Sequence, residues 1–165
     1  MNERAPAKKL GTLLMQRGLL TPEQLEEALA DQRLTRKFLG AILVEQGAVE
    51  PLKLLEVLSE QFGIPHGSIA PSEVDWNVAK QFPPSFFSDE KCFPIRADET
   101  TVTVAIADPL DAWSLSSIQG LARFKKIQPM LVLDRELKAI CRTYRAQTLK
   151  ALQQRLGSDG VDRRH

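Results

Sequence analysis

The stretch from Lys9 to Gln61 decides the fold: KLGTLLMQRGLLTPEQLEEALADQ (9–32), then RLTRK (33–37), then FLGAILVEQGAVEPLKLLEVLSEQ (38–61). A shift of 29 residues lays the first 24-residue segment on the second with nine identities. Leu10 meets Leu39, Gly11 meets Gly40, Leu14 meets Leu43 and Gly18 meets Gly47; further on, Pro22, Leu25, Glu27, Leu29 and Gln32 meet Pro51, Leu54, Glu56, Leu58 and Gln61. Composition alone gives roughly one or two such matches. The segment is therefore an internal duplication, and each copy reads as one supersecondary unit.

That unit is a helical hairpin. In the first copy Leu10, Leu13, Leu14 and Arg17 follow helical spacing, and Gly18 offers the left-handed residue that ends a helix. A second helix then starts with Thr21 as cap, Pro22 at the first helical position and Gln24 closing a capping box, with Leu20 and Leu25 as a hydrophobic staple. Its apolar face holds Leu25, Ala28 and Leu29 and ends in Gln32. The second copy repeats the pattern through Gly47, Pro51, Leu54, Val57, Leu58 and Gln61, with Glu50 a poorer cap than Thr21.

Two features exceed what a hairpin needs. Gly11 and Gly40 lie inside helices, where glycine costs about 1 kcal/mol relative to alanine. Gln32 and Gln61 end leucine-lined faces with a polar amide. One account is structural: the glycines permit close helix contact and the glutamines cap a neighbouring helix. The other is that each copy forms half of a site, with an apolar wall, close backbone approach at glycine and an amide for a polar edge. The residues leave both open.

Beyond the repeats, Asp75–Phe82 and Pro84–Lys91 read as short helices, and Cys92–Ala97 and Thr100–Ala107 as strands joined by a turn at Asp98-Glu99. Asp111 is placed to cap a helix over 112–124, Ile127–Leu133 to form a third strand, and Asp134 to cap a helix reaching Tyr144 or beyond. The expected fold class is α+β: two tandem helical hairpins in residues 1–62, a small α/β subdomain (β-β-α-β-α) in 63–147, and a helix extension with a polar tail from Gly157 in 148–165. The two tryptophans, Trp76 and Trp113, are expected in the core, and His66 carries no assigned role.

Composition narrows the function. The 165 residues carry 22 Lys plus Arg against 21 Asp plus Glu, a net charge of +1, which argues against a nucleic-acid polymer as partner. With two histidines and two well-separated cysteines, Cys92 and Cys141, no catalytic or metal site is expected, and the cysteines read as buried thiols of a reducing compartment. No apolar run is long enough to span a membrane and no signal peptide is visible, so a cytoplasmic location without membrane insertion is expected. No GxxxxGK[ST] occurs, so this chain by itself is not an ATPase motor.

The paired motif resembles the MshE N-terminal (MshEN) family, the domain found ahead of the motor in type II secretion and type IV pilus assembly ATPases. The resemblance continues through Phe62-Gly63-Ile64-Pro65, Phe93-Pro94-Ile95 and Val104-Ala105-Ile106-Ala107-Asp108-Pro109-Leu110-Asp111, and so covers roughly Lys9 to Tyr144. It implies a non-catalytic domain that binds one molecule of cyclic di-GMP, a ligand and not a cofactor. Carried over, one half-site is Lys9, Leu10, Gly11, Leu14, Leu25, Leu29 and Gln32, and the other Phe38, Leu39, Gly40, Leu43, Leu54, Leu58 and Gln61; outside that carry-over, Asp108 is a further candidate contact with the ligand. Implied protein partners are the secretion or pilus ATPase motor domain or an inner-membrane platform protein. The family's first motif position is typically arginine; Lys9 keeps its charge without the planar fork, and Phe38 keeps only a stacking surface. A docking module that has lost the nucleotide is the alternative those two residues suggest. For Asp108 itself, the residues alone point to a turn.

Overall fold

Glycines end the first helix of each repeat, as their spacing predicts, whereas the second helix of the first repeat ends on Arg36, left-handed at φ 59°. The structure, a computed structural model, describes residues 5–110 and 125–159, with side chains from 10 to 110 and from 125 to 157. Helix α1 (Ala5–Gln16) ends where Gly18 adopts φ 68°, and α3 (Leu39–Glu45) where Gly47 adopts φ 69°. Both ends carry the same pair of bonds. Leu19 N–H donates to Leu14 O at 2.9 Å and Gly18 N–H to Met15 O at 3.0 Å; Ala48 N–H donates to Leu43 O at 2.9 Å and Gly47 N–H to Val44 O at 3.0 Å. These are Schellman bonds, which satisfy carbonyls that the last turn would otherwise orphan.

The second helices differ at their starts. Helix α2 (Pro22–Thr35) has the complete capping box of Thr21 and Gln24, whereas Glu50 before α4 (Pro51–Phe62) makes no side-chain cap. Helix α1 packs on α4 and α2 on α3, so each repeat places its first helix against the second helix of the other.

A connection follows from Gly63, and its middle runs beside the sheet. Leu131 N–H donates to Pro65 O at 2.8 Å and Gly67 N–H to Leu131 O at 2.9 Å, while Ser68 Oγ donates to Glu136 Oε1 at 2.6 Å. After a 3-10 turn at Pro71–Glu73, α5 (Trp76–Ala79) is capped by Asp75, whose side chain accepts from Asn77 N–H. It is shorter than the expected 75–82: past Ala79 the bonds tighten to three-residue turns, Gln81 N–H on Val78 O and Phe82 N–H on Ala79 O, and Pro83 follows. The expected helix from Pro84 is a single 3-10 turn (Pro84–Phe87) that goes no further; Glu90 turns left-handed at φ 57°.

The sheet has the order β1-β2-β3. Strands β1 (Cys92–Ala97) and β2 (Thr101–Ile106) pair antiparallel around a turn in which Asp98 Oδ1 accepts from Thr100 and Thr101 N–H. Those bonds hold the Asp98 carboxyl below its ordinary pKa. Strand β3 (Lys126–Leu131) runs parallel to β2, which calls for a crossover. The helix expected there, with Asp111 and Trp113, lies outside the described residues. Pro94 and Pro129 sit on the two outer strands, where a missing N–H breaks no central ladder.

Helix α6 (Asp134–Asp159) closes the described chain. Asp134 does not cap it: Leu133 holds that position with its N–H on Glu136 Oε2, and Asp134 pairs with Lys138 at 2.6 Å inside the first turn. The helix also continues through Gly157, where a tail was expected, since one glycine costs less than ending a formed helix after Arg155 and Leu156. Leu137, Ile140 and Cys141 are buried, and burial pushes the Cys141 thiol up to about 11. Tyr144 packs edge-on against Phe87 and Phe93, with Trp76 stacked nearby, as expected of Trp76. Leu149, Leu152 and Leu156 on its far end are exposed. The buried side chains from Leu10 to Cys141 form one apolar cluster. No helix among the described residues is long and apolar enough to cross a membrane.

Candidate functional site

The two repeats meet reciprocally. Arg17 Nη2, just after α1, donates to Glu60 Oε2 near the end of α4. Gln46 Nε2, just after α3, donates to Asp31 Oδ2 on α2 at 2.8 Å. The 29-residue shift carries Arg17 onto Gln46 and Asp31 onto Glu60. Position i of one copy thus meets position j of the other, and j meets i, the signature of a two-fold relation. Sequence reasoning placed Arg17 on the helical pattern but gave none of these four residues a part in the site. The signal was present in the alignment of the copies, which keeps a long donor at 17/46 and a carboxylate at 31/60.

Within each repeat the helical glycine faces a leucine of the second helix. A Cβ on Gly11 would lie 2.7 Å from Leu25 Cδ1, and one on Gly40 would lie 2.9 Å from Leu54 Cδ2 and 2.6 Å from Phe38 Cε1. Close packing is therefore one use of both glycines. Over Gly40 the Phe38 ring occupies part of the space as well.

The candidate site leucines divide into two layers. Leu10, Leu14, Leu39, Leu43 and Leu58 are at most 1% exposed and form the floor, while Leu54 is 7% exposed. Leu25, Leu29 and Phe38 are half-buried and pack against that floor. Gln32 and Gln61 are half-buried at the ends of the two faces. Gln32 Nε2 donates to Lys37 O at 3.2 Å, bridging the spacer to the start of α3. Gln61 Oε1 is shielded from solvent. Lys37 Nζ is held by Glu45 at 3.0 Å. Lys9 lies on α1, with its side chain outside those described.

Asp108 stands apart from the repeats in sequence, just after β2. Its Oδ1 accepts from Leu110 N–H at 2.9 Å, the turn role its spacing suggests. Burial raises its carboxyl above the ordinary value, opposed by the Leu110 bond and by the charge of Lys91. Among the described residues no group of three or more His, Cys, Asp or Glu side chains is arranged to hold a metal. Chemically, the repeats present two related apolar faces, each ended by an amide, which suits flat heterocycles with polar edges.

Residues 62–151 match the MshEN domain family. Over 116 residues the chain is 32% identical to the type IV pilus assembly ATPase PilB of Thermus thermophilus, an overlap of 69% of this chain and 13% of that protein. The chain thus spans only a small part of that relative's length. Among solved structures, that of MshE with cdg superimposes with a TM-score of 0.69 at 25% identity, covering 82% of this chain and 97% of that one. Since residues 63–165 are less than two thirds of the chain, that likeness must extend into the repeats. The N-terminal domain of XpsE shares the fold, with a TM-score of 0.60 at 17% identity over 86% of this chain and 97% of that one.

Proposed function

This chain belongs to the MshEN domain family, and on that premise we propose that it is a regulatory domain that binds cyclic di-GMP, without catalysis, for a type II secretion or type IV pilus assembly system. The observation that carries this reading is the reciprocal pairing of the two repeats, Arg17 with Glu60 and Gln46 with Asp31. A ligand with two identical halves is best met by two identical half-sites related the same way. The likeness to MshE, whose solved structure holds cdg (cyclic di-GMP), supports the same ligand. In this reading residues 1–62 bind the nucleotide and 63–147 form the attached α/β part. Leu25, Leu29, Leu54 and Phe38 supply apolar contact to the guanines, Gln32 and Gln61 meet base edges, and Lys9 faces a phosphate. The fully buried leucines act from beneath by holding that wall. Asp108, the further candidate contact, contributes from beyond the repeats. The domain works in the cytoplasm, against an ATPase motor domain or an inner-membrane platform protein.

Calorimetric titration of cyclic di-GMP tests the reading. Saturable binding of one nucleotide per chain is expected, and ligand at 100 times its Kd should stabilise the fold by about 2.7 kcal/mol. A specific observation favours a second reading: the Phe38 ring lies over Gly40, where a ligand would approach the backbone. No heat and no thermal shift at high micromolar ligand leaves a protein-docking module that has lost the nucleotide.

A further inference from the structure

The cross-repeat contacts sit beside the residues assigned to the bases. Asp31 and Glu60 immediately precede Gln32 and Gln61, while Arg17 and Gln46 adjoin the left-handed glycines that end α1 and α3. Each contact therefore ties the amide end of one half-site to the first helix of the other repeat. One is an ion pair and the other an amide on a carboxylate, both exposed at the surface.

We propose that Arg17, Glu60, Gln46 and Asp31 are positioning residues that hold the two half-sites at the spacing of a single two-fold dinucleotide. The inference rests on the nucleotide reading above. A ligand whose halves are covalently joined gains from the second half-site only when both are met at once, so their separation sets the effective concentration of the second contact. Exposed pairs of this kind contribute little to stability. Their removal should loosen the register of the half-sites while leaving the chain folded. None of the four needs to touch the ligand.

The test titrates cyclic di-GMP into the parent, Arg17→Ala, Gln46→Ala, Gln46→Arg and the exchanged double variant Arg17→Glu with Glu60→Arg, with a thermal melt of each free protein. Arg17→Ala and Gln46→Ala should each weaken binding by about three- to fivefold. Their Tm should stay within about 2 °C of the parent. Gln46→Arg keeps a donor for Asp31, and the exchanged pair restores the contact, so both should bind within about twofold of the parent. A parent that binds while both alanine variants bind equally well overturns the inference alone. So does an exchanged pair as weak as Arg17→Ala, or a fallen Tm with unchanged affinity. A parent that binds nothing removes the nucleotide reading, and this inference with it.

Discussion

Leu25 fills the space that a side chain at position 11 would take, with Cδ1 only 2.7 Å from where the Cβ of any other residue would stand. Leu54 stands to Gly40 in the same way, but there the Phe38 ring crowds the site too. Alanine gains about 1 kcal/mol over glycine as a helix former, against an overpacking cost of about 1–3 kcal/mol. Gly11→Ala meets only the mobile tip of one leucine, so its urea midpoint should stay close to the parent's. Gly40→Ala must displace a ring and a leucine together and should lose about 1–2 kcal/mol. Equal losses at the two positions would show that the Phe38 ring is not a fixed part of the packing.

The glutamines separate binding from folding. Gln32→Ala removes an exposed bond to Lys37 O and should cost at most about 1 kcal/mol of stability. Under the nucleotide reading, Gln32→Ala and Gln61→Ala should each weaken cyclic di-GMP by about fivefold or more, one hydrogen bond's worth. Calorimetry paired with a melt decides it: early melting with unchanged affinity makes both amides structural.

The first motif positions should behave unequally. Lys9→Ala removes a cation and should weaken binding and flatten its salt dependence. Phe38→Arg adds a charge-assisted contact and clears the space over Gly40, so it should bind more tightly at low salt. Sequence alone suggests that neither change disturbs the free protein. The structure alters that for Phe38, a half-buried ring packed on the core, whose loss should cost about 1–2 kcal/mol. Titrations of the three proteins at two salt concentrations would sink the assignment if Phe38→Arg bound no tighter.

Asp108 gives a pH test. Its carboxyl is raised by burial, so the folded state holds that proton more tightly than the unfolded chain does. Between the ordinary and the raised value stability falls as pH rises, and at neutral pH the whole cost of the buried carboxylate is present. Asp108→Asn keeps an acceptor for Leu110 N–H and drops the charge. It should raise the urea midpoint at about pH 7 and lose that advantage near pH 3, where the acid is protonated in both states. An advantage that is the same at both pH values would place its cause outside the charge.

The duplication, the ends of α1 and α3 and the strands were legible because their signals are local. Gly18 and Gly47 stop helices through bonds spanning six residues, and the Thr21 capping box closes within four. Asp134 misled for the same local reason: a good capping residue took an ion pair with Lys138 one turn on, and Glu136 reached back to Leu133 instead. Repetition showed that positions 32 and 61 are alike, yet it left open what either amide touches.

Tertiary structure decided which leucines are floor and which are wall. Leu29 and Leu58 occupy one motif position, but Leu58 is 1% exposed and Leu29 half-buried, because α4 is covered more completely than α2. It also decided that Arg17 reaches Glu60 across 43 residues of chain and Gln46 reaches Asp31 across 15. Two similar hairpins can pack on one another in several ways, each burying its leucines. Only the packed arrangement, in which the first helix of each meets the second of the other, brings those four polar side chains within bonding distance.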